Sequence, residues 1–215
     1  MRDLVVFVAD LTMEKAIETF LTRPDFHRPH NLHVRPFDFD PRTDLIRVPG
    51  NDAGVFTKGH EWVRDFGRGY RHAVPVFDRE YGTDADVTAL RNDLCARVCA
   101  TGWDPDRFCV VVIDPELEAW IWQRNQRVAA PLKFESVADM VAAVRAAGLE
   151  WGDGEAKPIR PKEALQAVVR QRGLGWSSAI HRSIIAGVSL VGCQDPAFVE
   201  LRSALQGWFP AGGAA

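Results

Sequence analysis

Carboxylates collect where apolar runs end. Asp10 with Glu14 follows Leu4–Ala9, Asp78 with Glu80 follows Ala73–Phe77, and Asp114 follows Val110–Ile113, with Glu116 and Glu118 close behind. In an open parallel α/β sheet the strand C-termini share one edge, and ligands bind in the crevice outside it. Acids gathered there repel one another unless a cation neutralises them. An all-oxygen set of this kind suits Mg²⁺ or Mn²⁺, and ions so held act on phosphates by polarising an oxygen and activating water. Each cluster also has a plainer reading. Asp10 and Glu14 would cap a helix and complement its dipole. Asp78-Arg79-Glu80 would be a solvated turn running into Tyr81-Gly82-Thr83-Asp84. Glu116 and Glu118 would be first-turn acids on a helix opened by Pro115. Against that last reading, Glu118 falls beside the apolar face of Leu117, Trp120 and Ile121, which turns it toward a cleft.

The elements that must position these acids follow from periodicity. Leu4–Ala9 is continuous and valine-rich, as in strands buried on both faces of a parallel sheet. Thr12–Leu21 sets Met13, Ala16, Ile17, Phe20 and Leu21 at helical spacing. Asn31–Phe37 reads as a second, edge-type strand. The Pro-, Gly- and Asp-rich stretch Asp38–Lys58 reads as a long loop with a short strand at Leu45–Val48. A helix is expected over Gly59–Tyr70, then a third strand over His72–Phe77, where Pro75 argues against full ladder pairing. Thr83 or Asp84 would cap a helix carrying Val87, Leu90, Leu94 and Val98, which Gly102 ends. Arg107–Ile113 makes a fourth strand. Beyond about Val128 only helical patterns follow, over Pro131–Gly148, Pro161–Gly173, Trp176–Gly187 and Pro196–Trp208. The expected organisation is an α/β domain over 1–128, a helical C-terminal module over 129–208, and a frayed tail over 209–215.

Bulk properties narrow the function. A net charge of −3 over 215 residues excludes a chain that grips nucleic acid with its whole surface. Any such grip would come from a local patch, such as Lys157, Arg160, Lys162, Arg170 and Arg172 with His181, from a metal, or from a basic partner. The cysteines Cys95, Cys99, Cys109 and Cys193 form no C-x-x-C pair, which argues against a structural zinc. Free thiols, no signal sequence before the first strand and no apolar run of ~20 residues lead to the expectation of a cytoplasmic protein without a membrane span. Gly54–His60 lacks the order of a Walker phosphate loop, and its glycines read as a mobile loop. His27, His30 and His33 recur every third residue, a spacing that does not converge on one ion.

The pattern strand–Asp10-x-x-x-Glu14–helix, then strand–Asp78-x-Glu80, resembles the Toprim domain of topoisomerases, DnaG-type primases and OLD-family nucleases. That domain carries a glutamate after its first strand and a D-x-D after its third. Here Asp10 stands for the glutamate, Glu80 for the second aspartate, and Leu11 for the following glycine. Over residues 1–208 the chain is similar to small Toprim-like proteins from bacterial defence loci. Their F/L-E-x-W segment is matched by Leu117-Glu118-Ala119-Trp120, their P-K by Pro161-Lys162, their Y-S-x-x-x-H by Trp176-Ser177 through His181, and their F-x-x-L by Phe198 through Leu201. The resemblance implies a Toprim-like, mostly parallel sheet and Mg²⁺- or Mn²⁺-dependent cleavage of nucleic-acid phosphodiesters in prokaryotic antiviral defence. Asp10, Asp78, Glu80 and Asp114 would hold metal, and Glu14 would be a ligand or general base. Glu118 would hold a second metal or orient Lys162 or His181. DNA or another nucleic acid, an ATPase or other defence protein, and a second copy of the chain are the partners implied. The alternative is a non-catalytic assembly or sensor subunit that keeps the fold without the chemistry.

Overall fold

In the computed structural model, which describes residues 1–80 and 85–212, four strands form one all-parallel sheet in the order β2-β1-β3-β4. They are β1 (Arg2–Val8), β2 (Leu45–Arg47), β3 (Tyr70–Asp78) and β4 (Val111–Ile113). Helices α1 (Leu11–Leu21), α2 (Pro41–Asp44), α3 (Asn51–Phe66) and α4 (Val87–Ala100) are interleaved with them. After β4 come α5 (Glu118–Ile121), α6 (Gln126–Ala129), α7 (Val137–Ala146), α8 (Pro161–Gln171), α9 (Ser178–Gly187) and α10 (Pro196–Trp208). The fold is α/β with a helical C-terminal part. Among the described residues no strand follows β4, and no helix is long and apolar enough to cross a membrane.

Strand side chains alternate between two helical layers, as the two-residue period of a strand requires. Leu4 and Val6 of β1, with Val74 and Val76 of β3, meet Ile17 and Leu21 of α1 and Leu201 and Leu205 of α10. On the opposite face Phe7 packs edge-on to Phe66, and Phe77 lies beside Phe56, both partners being on α3. Covering both faces explains the unbroken apolar spelling of β1. The later helices share this core: α9 packs along α1 and α10 against β4, in one continuous cluster of buried residues.

Several expectations are corrected. Residues 31–37 form no strand; Val34 makes only an isolated antiparallel bridge to Pro210. His33 has a positive φ of 54° and Pro36 lacks an N–H, so no ladder can run through the segment. The second strand is Leu45–Arg47, parallel to β1 with Val6 opposite Leu45. The short strand expected within 38–58 is β2, but the rest of that stretch is not a loop, because it holds α2 and the first half of α3. Gly54 is therefore helical rather than part of a mobile loop. A Cβ there would lie 2.1 Å from the Pro49 carbonyl oxygen, so only glycine lets the helix start so close to β2.

Pro75 sits in β3, which is central, opposite Phe7 of β1. Ala73 accepts from the Cys109 amide on the β4 side, so Pro75, two residues on, turns its missing N–H to the same side. There the ladder is broken between the Ala73–Phe108 bridge and the Val76–Val111 pair, and regular β4 shortens to three residues. Asp86 caps α4; Thr83, Asp84 and the turn read over 81–84 lie outside the described residues. Pro115 does not open a helix: its peptide bond to Asp114 is cis, and α5 begins at Glu118. The helix expected over Pro131–Gly148 is only α7, since residues 131–136 form turns and the short α6 ends before Pro131. Phe209 and Pro210 belong to the fold rather than to a tail. Phe209 is fully buried, and its carbonyl accepts from the Arg35 amide.

Candidate functional site

Because β1, β3 and β4 are neighbours and parallel, Asp10, Asp78 and Asp114 leave the sheet along one edge. The residues behind that edge divide into a buried acidic group and a set of surface ion pairs.

Asp78 is the centre of the buried group. It ends the central strand, and its backbone N–H donates to Asp52 Oδ1 at 2.8 Å, tying the first turn of α3 to β3. The backbone N–H of Leu117 donates to its carboxylate. The other oxygen, Oδ1, is out of reach of solvent and has no donor among the described residues, although the residue as a whole is only half-buried. Burial, then the charges of Asp52, Glu118 and Asp10, push the Asp78 pKa well above the ordinary carboxylate value. Asp52 is raised in the same way, by burial and then by Asp10, against the opposing hydrogen bond from the Asp78 amide. Asp10 caps α1, accepting from the Met13 amide at 2.8 Å, and stays exposed.

The helical part supplies the two partners of α5 and its lead-in. Glu116 accepts from the Lys162 amide and from Lys162 Nζ, each at 3.1 Å. Burial and the neighbouring Glu118 raise the Glu116 pKa in spite of that lysine. Burial opposes the charge of Lys162, but Glu116, with Glu118 and Asp78 behind it, outweighs burial and raises the Lys162 pKa. The lysine is therefore held as a cation.

Glu118 and His181 form the second pair, Oε1 to Nε2 at 3.0 Å, with both side chains almost wholly buried. His181 Nδ1 lies 3.1 Å from the Ser177 carbonyl, and Trp176 closes the ring off edge-on. A carbonyl oxygen only accepts, so the hydrogen-bond pattern assigns a proton to Nδ1. The Nε2–Oε1 contact then needs a second proton, carried either by His181 or by Glu118. One transferable proton is thus stored between two buried groups beside Asp78.

The remaining expected site residues are not in this group. Glu14 lies 3.5 Å from Arg47 and 3.4 Å from Lys15. Glu80 and Asp114 are exposed and are bridged by Arg79, at 3.4 Å and 2.6 Å. Among the described residues no three His, Cys, Asp or Glu side chains are already arranged around one ion position. The basic rim read from the sequence is largely matched to the protein's own acids: Lys157 to Asp195 at 2.7 Å, Arg160 to Glu163 at 2.6 Å, and Lys162 to Glu116. Arg172 donates to the Lys133 carbonyl and covers the Phe134 ring.

Asp52 is the residue that sequence reasoning missed. Its signal was present: Pro49-Gly50-Asn51-Asp52 follows the apolar Leu45–Val48, another acid behind a strand. Reading 38–58 as loop concealed it. Comparison with family models, with curated proteins and with solved structures returns no match.

Proposed function

We propose that the acidic edge is the active centre of a Mg²⁺- or Mn²⁺-dependent enzyme that cleaves nucleic-acid phosphodiesters. The observation that carries this reading is the state of Asp78: a carboxylate oxygen that is dry and without a donor among the described residues, with Asp52, Glu118 and Asp10 around it. Buried acids left this way are costly unless a cation or proton compensates them, and such arrangements concentrate at functional sites. The donor chemistry fits a hard divalent ion, which Asp78, Asp52 and Asp10 would hold through carboxylate oxygens. Bound there, the ion would polarise a phosphoryl oxygen and make a neighbouring water more acidic.

The chain's own contribution is proton transfer and orientation. The His181–Glu118 pair keeps a proton that can be given to a leaving oxygen. Lys162, fixed by Glu116, brings a positive charge beside Asp78 and can meet a phosphate. Glu14, Glu80 and Asp114 have no role in this reading, because arginine or lysine already engages each of them. The setting in antiviral defence rests on the sequence resemblance alone. A second reading, a scaffold that retains the fold without chemistry, is favoured by the ion pairs that engage Glu14, Glu80 and Asp114 with Arg47 and Arg79.

One experiment separates them. Mn²⁺ is titrated while thermal unfolding is followed, and the same samples are assayed on supercoiled plasmid and on single-stranded DNA and RNA. The enzyme reading expects a metal-dependent rise in Tm, cleavage of at least one substrate, and the loss of both in Asp78→Asn. Neither a Tm response nor cleavage in the unaltered protein would leave the scaffold standing.

A further inference from the structure

A cavity of about 890 Å³ lies away from the acidic edge, between the C-terminal ends of α1 and α9 and the start of α6. Three arginines line it: Arg23 after α1, Arg127 in α6 and Arg182 in α9. Among the described residues none of the three forms an ion pair with a carboxylate, in contrast to Lys157, Arg160 and Lys162. The acids on the cavity wall are already engaged, Glu18 with Lys15 at 2.6 Å and Asp25 with His30 at 2.9 Å.

Arg23 is the most constrained of the three. Its Nη1 donates to the Val188 carbonyl at 2.9 Å, while Nε and Nη2 are buried and have no partner among the described residues. Burial lowers its pKa, and the like charge of Arg127 adds to that in spite of Asp25. A guanidinium keeps its proton even so. The cavity therefore sets three guanidinium groups against two carboxylates that are already paired with Lys15 and His30, in a chain whose net charge is −3. Such a field draws an anion from solution.

Resting on the active-centre reading, we propose that this groove grips the phosphate backbone of the nucleic acid being cut. The spacing fits. α1 runs from the acidic edge to the groove, and 11 residues at ~1.5 Å rise put its ends about 16 Å apart. With roughly 3.4 Å per nucleotide, that is on the order of five nucleotides between the gripped phosphates and the bond to be broken. The grip is sequence-independent, as contacts to phosphate are.

The test measures binding of a labelled ~20-nucleotide single strand by fluorescence anisotropy in EDTA, where no cleavage can occur. Arg127 and Arg182 are exposed, so changing them leaves the core intact. Arg127→Gln/Arg182→Gln should weaken binding at least tenfold and flatten the log–log salt slope by about 1.4, two contacts at roughly 0.7 each on single strands. Asp78→Asn should bind at least as tightly as the unaltered protein. Equal binding by the double variant, or no binding by the unaltered protein, overturns the groove. So does stabilisation by inorganic triphosphate without any oligonucleotide binding, which would make it a small-anion site. The two readings fail separately. Loss of binding in the double variant with no cleavage by any preparation in Mn²⁺ keeps the groove and removes the active centre. Cleavage by the unaltered protein with unchanged binding in the double variant does the reverse.

Discussion

At the scale of single residues, the Glu118–His181 pair makes opposite demands on two substitutions. Glu118→Gln retains a hydrogen bond, since the new amide can donate to Nε2 while Nδ1 stays on the Ser177 carbonyl. It removes the transferable proton and one of the charges around Asp78. The expected outcome is an unchanged or raised Tm with cleavage reduced by about 10²-fold or more. His181→Ala leaves a buried carboxylate without its partner and should cost about 3 kcal/mol as well as activity. Chemical denaturation with a parallel cleavage assay distinguishes them, and a Glu118→Gln protein with full activity would remove the pair from the mechanism. Asp78 gives a pH test. Its folded-state pKa is raised, so its favourable contribution is complete below the ordinary carboxylate value and is lost as pH rises through the folded value. Without metal, Asp78→Asn should therefore stabilise the protein at pH 8, by about 1 kcal/mol or ~2–4 °C for a chain of this size, and the gain should shrink toward pH 5. A lower Tm at pH 8 would mean that the charge is already compensated. The resemblance implied that Glu118 orients Lys162 or His181, and the structure places it on His181, while the acids around Asp78 were not legible as one group because Asp52 was read as loop. Glu118 and His181 each stood in a recognisable motif, yet 63 positions separate them and nothing local says that they touch.

Elements differ in how openly the sequence spells them. Strands β1 and β3 were readable because burial on both faces removes polar residues and leaves an apolar run. The α1 stripe and the proline-led starts of α8 and α10 were readable for equally local reasons. β2 was readable as the short apolar run Leu45–Val48, whereas the start of α3 was hidden because two helical glycines imitate a loop. Those glycines do different things. At Gly54 the obstacle to a side chain is a backbone oxygen, which cannot move aside, whereas at Gly59 a Cβ would sit 3.6 Å from Leu94, an ordinary contact. Gly54→Ala should cost roughly 1–3 kcal/mol by forcing α3 away from β2. It should also weaken Mn²⁺ binding, because Asp52 moves with that turn. Gly59→Ala should be neutral or stabilising by up to about 1 kcal/mol, from helix propensity. Two melting curves and two metal titrations decide this, and equal effects at both positions would refute the steric account.

For the whole molecule, the C-terminus is a structural component. Phe209 stacks on Phe37 with centroids 4.2 Å apart and meets His72 edge-on, and Trp208 stacks on His72 at 4.4 Å. Ending the chain after Pro210 should be harmless, whereas ending it after Trp208 should cost about 3–5 kcal/mol, as loss of a buried phenylalanine does. Similar stability of the two truncations would contradict this packing. The same aromatic group sets an acid response. Burial, then Arg107, push the His72 pKa down to about 4. A depressed pKa gives stability that is present above the ordinary histidine value near 6.5 and lost as pH falls through about 4. Urea unfolding of His72→Phe should consequently be less sensitive to pH between 6.5 and 4 than that of the unaltered chain. Division into an α/β part and a helical part was visible in the order of the elements, but the joining of both in one core was not, because such packing depends on residues far apart in the chain. One further acid stands at the other end of the sheet. Asp44, fully buried, accepts from Arg2 Nη2 at 2.6 Å, the Tyr70 hydroxyl at 2.8 Å and the Asp40 amide at 2.7 Å, so it clamps the starts of β1, β2 and β3. The sheet thus has a satisfied end and an unsatisfied one, with its anchorage at the end opposite the acidic edge. Substitutions among the acids at the far strand ends leave the clamp untouched, so the acidic edge can change its residues while the strands keep their register.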